Sequence, residues 1–155
     1  MGERLRAQAP RNWGKNVTLI ASLSTEGLGA AMSVEGATDG AAFETYVKHF
    51  LVPTLKEGQV VVMDNLSAHK GERVRELIEA KGCELIYLPP YSPDFNPIEY
   101  LWKKVKKMAT HLKHFPDFTH LQTEVDKSLL HFAQTPHEIM ALVTRYCDSL
   151  GALAA

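Results

Sequence analysis

The spacing of apolar residues changes several times along this chain, and each change marks an element. Asn16 to Leu23 (NVTLIASL) and Leu28 to Val34 are two strand-like runs separated by Ser24-Thr25-Glu26-Gly27, which predicts a hairpin with a short loop. Small residues at Gly29, Ala30 and Ala31 predict close packing against the first strand. Phe43, Tyr46, Val47, Phe50 and Leu51 then follow the 3.6-residue period of a helix. Thr38 or Asp39 can cap it, and Lys56-Glu57-Gly58 supplies the stop. Gln59 to Met63 reads as a strand, and its Val60 to Met63 is a short apolar run, the pattern of a strand buried on both faces. A helix from about Gly71 to Lys81 turns Val74, Leu77 and Ile78 inward, and Glu84 to Leu88 reads as another strand.

Pro89-Pro90-Tyr91-Ser92-Pro93 follows as a rigid, extended connection, because each proline fixes its own φ and disfavours helix in the residue before it. Such a connector holds the next helix start at a fixed place relative to the sheet. That helix, Pro97 to about Leu112, has an apolar stripe running from Ile98 and Leu101 through Trp102 and Val105 to Met108 and Leu112. Its other face carries Glu99, Lys103, Lys106 and Lys107. Two further amphipathic helices are predicted, Phe118 to Phe132 and Pro136 to Leu150. Alternating strands and helices from Asp39 onward argue for an α/β fold with parallel strands.

Composition narrows the class. A chain of 155 residues holds one core, and 45% hydrophobic with 23% charged residues is ordinary for a globular protein. A net charge of −1 is not that of a protein that coats nucleic acid, so any DNA contact must come from a local patch. Cys83 and Cys147 lie far apart without metal-ligand spacing and read as small buried hydrophobes. Residues 1–15 carry Arg4, Arg6, Arg11 and Lys15 with neither helical nor strand period, and read as a basic arm. No stretch of about 18 apolar residues occurs, and the polar N-terminus has no signal-peptide core, so the expected location is cytoplasmic, with no membrane partner.

Two acids stand out. Asp64 follows the apolar run Val60 to Met63, and buried strand ends are where α/β folds keep their chemistry. Glu99 falls in the first turn of the helix that begins at Asn96-Pro97. From position alone Asp64 reads equally well as a turn acid capping the following loop. Asn96-Pro97-Ile98-Glu99 likewise has the form of a capping box, in which an N3 glutamate reaches back to the cap's N–H. His69 reads as a polar surface residue or as a group that orients a ligand or touches DNA. A lysine cluster on a helix is usually a solvated face. Trp102 reads as core.

Asp64-Asn65 with His69 four residues on, the run Leu88-Pro89-Pro90-Tyr91-Ser92-Pro93-Asp94-Phe95-Asn96-Pro97-Ile98-Glu99, and Trp102 with its trailing lysines resemble the transposases of bacterial insertion sequences related to the mariner transposons, the insertion-sequence six-thirty family. The 34 residues between Asp64 and Glu99 also match the family's spacing. The resemblance is strongest from about Asn16 to Thr110. It implies an RNase H-like DDE endonuclease, a mixed sheet with flanking helices, which cleaves DNA and transfers strands between transposon ends and target. It further implies Asp64 and Glu99 as catalytic and metal-binding residues for Mg2+ or Mn2+, because hard carboxylate oxygens suit these ions and a pair of them serves phosphodiester chemistry. Lys103, Lys106 and Lys107, and His69, would then lie beside bound DNA.

One departure from the family is expected. Its first aspartate sits on a central strand, and no segment before Asn16 reads as that strand. Glu3, Asp39 and Glu44 do not occupy the matching position. Residues 1–15 therefore read as an arm, 16–112 as a partial endonuclease domain and 113–155 as a helical extension. The chain alone is expected to be inactive, with the strand supplied by an upstream reading frame, or with a homodimer as the working form. The alternative is a binding remnant that keeps DNA or transposase contacts without catalysis. A phosphotransfer or dehalogenase-like hydrolase is disfavoured, since Asp64-Asn65-Leu66 lacks a second acid two residues on.

Overall fold

The computed structural model describes residues 17–90, 95–111, 113–141 and 143–144. Strands β1 (Val17–Ser24) and β2 (Gly27–Glu35) form the expected antiparallel hairpin, in register from Val17 opposite Glu35 to Ser24 opposite Gly27. The register slips between Ala21 and Leu23, so Ser22 sits at an irregularity. Gly29 lies against it: any side chain at Gly29 would run into the Ser22 hydroxyl. The two faces of the hairpin serve two cores. Ile20, Ala30 and Met32 face one, while Leu19, Leu23, Leu28 and Ala31 face the other.

Helix α1 (Gly40–Tyr46) starts at Asp39, whose carboxylate accepts the Ala42 N–H at 2.8 Å and so satisfies one orphan donor. The chain widens into a π turn over Val47–Leu51 and closes as a 3₁₀ turn at Val52–Thr54, where Pro53 removes a donor. Strand β3 (Val60–Met63) pairs in parallel with β4 (Glu84–Tyr87), joined by helix α2 (Glu72–Glu79). Phe43, Tyr46, Val47, Val74, Ile78 and Leu85 form the first core, with Cys83 buried beside them. Cys147 lies outside the described residues.

Helices α3 (Ile98–Thr110) and α4 (Phe118–Gln134) build the second core on the opposite face of the hairpin, where Leu101, Val105 and Ala109 meet Val125, Leu129 and Phe132. Asp117 caps α4 through the His120 N–H. Residues 136–141 and 143–144 are helical and contribute the fully buried Ile139. Trp102 is partly buried against this core as expected. Met108, placed on the apolar stripe, is instead 42% exposed, because Leu101, Val105 and Ala109 define the inner line and Met108 lies beside it. Leu112 lies outside the described residues.

The expectation that β3 is buried on both faces needs correction. Val60 and Val62 are 52% and 54% exposed, and only Met63 is buried. The physical reason is in the topology: among the described residues β1 and β2 form one two-stranded sheet and β3 and β4 another, with no strand joining them.

Candidate active site

Asp64 leaves the end of β3, and both of its observed contacts use Oδ1. That oxygen accepts the Leu66 N–H at 3.1 Å, closing the turn that leads to a short 3₁₀ segment at Ser67–His69. It also lies 2.6 Å from His69 Nδ1, a charge-range contact outside hydrogen-bond alignment. The turn reading of Asp64 is thus realised through one oxygen. Among the described residues the other, Oδ2, has no partner.

His69 is fixed from three directions. Its ring stacks on Phe43 with centroids 4.0 Å apart, Tyr87 donates its hydroxyl to the His69 carbonyl at 2.8 Å, and the imidazole turns toward Asp64. Nothing in the sequence pattern singled out Phe43 or Tyr87, which present themselves there only as periodic apolar positions. The visible signal is Asp64-Asn65 with His69 four residues after Asn65.

Glu99 sits in the first turn of α3, where a carboxylate also favours the helix dipole. The capping box is not observed. Asn96 Oδ1 makes only a long 3.4 Å contact with the Ile98 N–H, and among the described residues no hydrogen bond or ion pair engages the Glu99 carboxylate. The helix is closed at this end by main-chain bonds, Glu99 N–H to Asn96 O and Tyr100 N–H to Pro97 O. Residues 91–94 of the proline-rich connector lie outside the described set.

Asp64, His69 and Glu99 line one cavity of about 940 Å³, with β1 along one side and β3 along another. Tyr46 also reaches it, and burial pushes its hydroxyl pKa up to about 12 against a smaller opposing effect of a Ser22 hydrogen bond. No group of three His, Cys, Asp or Glu side chains converges among the described residues. The oxygens present, one free on Asp64 and two on Glu99, suit a hard divalent ion as far as they go. They supply two ligands where three are usual in such chemistry.

The lysines divide into two sets. Lys104 pairs with Glu138 and Lys113 with Glu124, tying α3 and the segment after it to the following helices. Lys113 and Lys127 hold the Glu124 carboxyl down to about 2. Lys103, Lys106 and Lys107 are exposed on the helix that carries Glu99, and among the described residues none pairs with a carboxylate. Lys103 lies over the Tyr100 ring at 5.1 Å.

The family model described as DDE superfamily endonuclease matches residues 1–122. The chain belongs to that family. The transposable element Tc1 transposase of Caenorhabditis elegans is 32% identical over 65 residues, covering 42% of this chain and 24% of its own length. The Tcb2 transposase of Caenorhabditis briggsae is 24% identical over 104 residues, covering 64% and 38%. The chain therefore spans well under half of these curated relatives. Among solved structures, the Mos1 strand transfer complex superimposes with a TM-score of 0.73 at 17% identity, covering 96% of this chain and 45% of that one. The Mos1 catalytic domain crystallised with raltegravir and magnesium gives 0.58 at 16% identity. These likenesses establish the RNase H-like fold expected from the sequence.

Proposed function

We propose that this chain is the catalytic region of a Tc1/mariner-like transposase, of the bacterial insertion-sequence six-thirty type, that cleaves and joins DNA with Mg2+ or Mn2+. The observation that carries the reading is that Asp64 and Glu99, from different elements, line one cavity with carboxylate oxygens unspent on the fold. Asp64 and Glu99 would hold the ion, which would supply charge neutralisation for phosphodiester chemistry. Asp64 has Oδ2 left over for the ion, because Oδ1 is engaged by the Leu66 N–H and His69. Lys103, Lys106 and Lys107, which have no acidic partner among the described residues, bind the phosphates of the DNA strand that leads to Glu99. Relatives and neighbours named as transposases and transposon-end complexes support this assignment of DNA as partner.

In this reading residues 16–112 carry the endonuclease fold, residues 1–15 a basic arm and residues 113–155 a helical extension, in a protein that works in the cytoplasm. Among the described residues two carboxylates stand without a third, so in this reading the chain is inactive by itself and an upstream reading-frame product acts as the partner that supplies the remaining ligand. The test is strand cleavage of supercoiled DNA bearing the element's ends. The chain extended upstream nicks in Mg2+ or Mn2+, the 155-residue chain does not, and Asp64→Ala or Glu99→Ala in the extended chain abolishes nicking. Nicking that survives both substitutions overturns the assignment and leaves the binding-remnant reading.

A further inference from the structure

His69 meets the Asp64 carboxylate at 2.6 Å through Nδ1, yet that nitrogen is shut off from solvent and makes no aligned hydrogen bond. The contact is attractive but sets no direction of its own. A histidine ring also turns about its last side-chain bond with two broad minima half a turn apart. Half a turn puts a ring carbon where Nδ1 stood and takes the polar edge off Asp64. Another group must therefore hold the plane of the ring.

Phe43 supplies that hold. Its ring lies 4.0 Å from the imidazole, centroid to centroid, with 30° between the planes. At that separation a flipping imidazole would drive its edge into the phenyl ring, which is itself 4% exposed and has nowhere to retreat. The helix behind it is fixed as well. Phe43 N–H donates to Asp39 O at 3.1 Å in the capped first turn of α1. Tyr46, three residues on and 6.0 Å from Phe43 between ring centroids, donates its hydroxyl to Ala30 O of β2 at 2.8 Å. From the other side Tyr87 of β4 holds the His69 carbonyl at 2.8 Å. The ring of His69 is thus referred to α1 and the hairpin, and its main chain to β4.

Phe43 is also a member of the first core, and a side chain that only filled that core would affect stability alone. Shape separates the two roles. Leucine or methionine fills much of the same volume but offers no flat face.

We infer that Phe43 is a positioning residue for Asp64, acting through His69: its ring face holds the imidazole plane, and the imidazole holds the carboxylate by Oδ1. That the carboxylate so held serves a divalent ion rests on the function proposed above. The positioning itself does not.

The experiment compares the full 155-residue chain with Phe43→Leu, His69→Ala, their double variant and Ile78→Val, which thins the same core from α2. Vicinal NMR couplings about the Cα–Cβ bond of Asp64, recorded without metal, show whether its side chain keeps one rotamer. Mn2+ affinity is read by electron paramagnetic resonance. The parent keeps one rotamer, Phe43→Leu averages it and weakens Mn2+ binding by about tenfold, and Phe43→Leu adds no further loss once His69 is alanine. Ile78→Val lowers the melting temperature and leaves the couplings and the affinity as in the parent. Should Phe43→Leu not fold, Phe43→Met gives the same pattern. An Asp64 already averaged in the parent, or unchanged in Phe43→Leu, overturns the proposal. So does averaging of equal size in Ile78→Val, which would make the effect one of core stability, or an equal loss of affinity in the His69→Ala background, which would mean that Phe43 does not act through His69. If Phe43→Leu frees the Asp64 rotamer while the parent binds no Mn2+, the positioning role stands and the cation site falls.

Discussion

His69 Nδ1 lies 2.6 Å from Asp64 Oδ1, and the same imidazole is stacked on Phe43 at 4.0 Å. The ring thereby limits the rotation of the one carboxylate that ends β3. Groups that orient a ligand in this way typically contribute 10–100-fold to metal affinity. His69→Ala should weaken Mn2+ binding by about tenfold in an electron paramagnetic resonance titration. A His69 that acted only on DNA would leave that titration unchanged and lower DNA affinity instead.

The two sets of lysines predict different phenotypes. Lys106→Ala and Lys107→Ala should each flatten the dependence of log K on log salt for duplex DNA by about 0.9. Lys104→Ala should leave that slope unaltered, because its charge is already committed to Glu138. Fluorescence anisotropy at several salt concentrations separates the two.

Glu124 gives an acid dependence. Lys113 first, then Lys127, hold its carboxyl down to about 2 from an ordinary value near 4.5. Above the ordinary value folded and unfolded chains are both ionised, and the ion pairs stabilise the fold fully. As pH falls toward about 2 the unfolded chain takes up the proton first, so this contribution is lost across that window. Thermal melts between pH 6 and pH 2 should fall less steeply for Glu124→Gln than for the parent.

Tyr46 gives the opposite limb. Burial lifts its pKa from 10 to about 12, so between those values the unfolded chain releases its proton and the folded one keeps it. Stability therefore drops as pH rises through that range, by about 2–3 kcal/mol. Tyr46→Phe should remove the alkaline loss. It should also cost about 1–3 kcal/mol at neutral pH, because the hydroxyl now bonds the Ala30 carbonyl at 2.8 Å.

The elements were legible because their signals are local. Periodicity marked α1 to α4, the cap at Asp39 marked where α1 starts, and the small residue at Gly29 marked the close approach to Ser22. What sequence could not convey was set by neighbours. Val60 to Val62 reads as doubly buried, but a strand's outer face is buried only if a layer covers it, and here the sheet is interrupted beside it. Glu99 has the spacing of a capping box, yet whether its carboxylate turns back or outward depends on main-chain bonds already closing the helix end. The lysines of α3 and of the segment after it look alike in sequence. Only the fold shows that Glu138 and Glu124 neutralise two of them.

In the proposed function Asp64 and Glu99 act as one cation site. The direct measurement is Mn2+ binding to the 155-residue chain, with Asp64→Asn, Glu99→Gln and the double variant compared by isothermal titration, and folding checked by melting temperature. Each single variant should weaken binding by about tenfold, close to 1.4 kcal/mol, and the double variant should abolish it. Binding in Glu99→Gln equal to that of the parent would contradict the shared site and return Glu99 to a role in starting its helix.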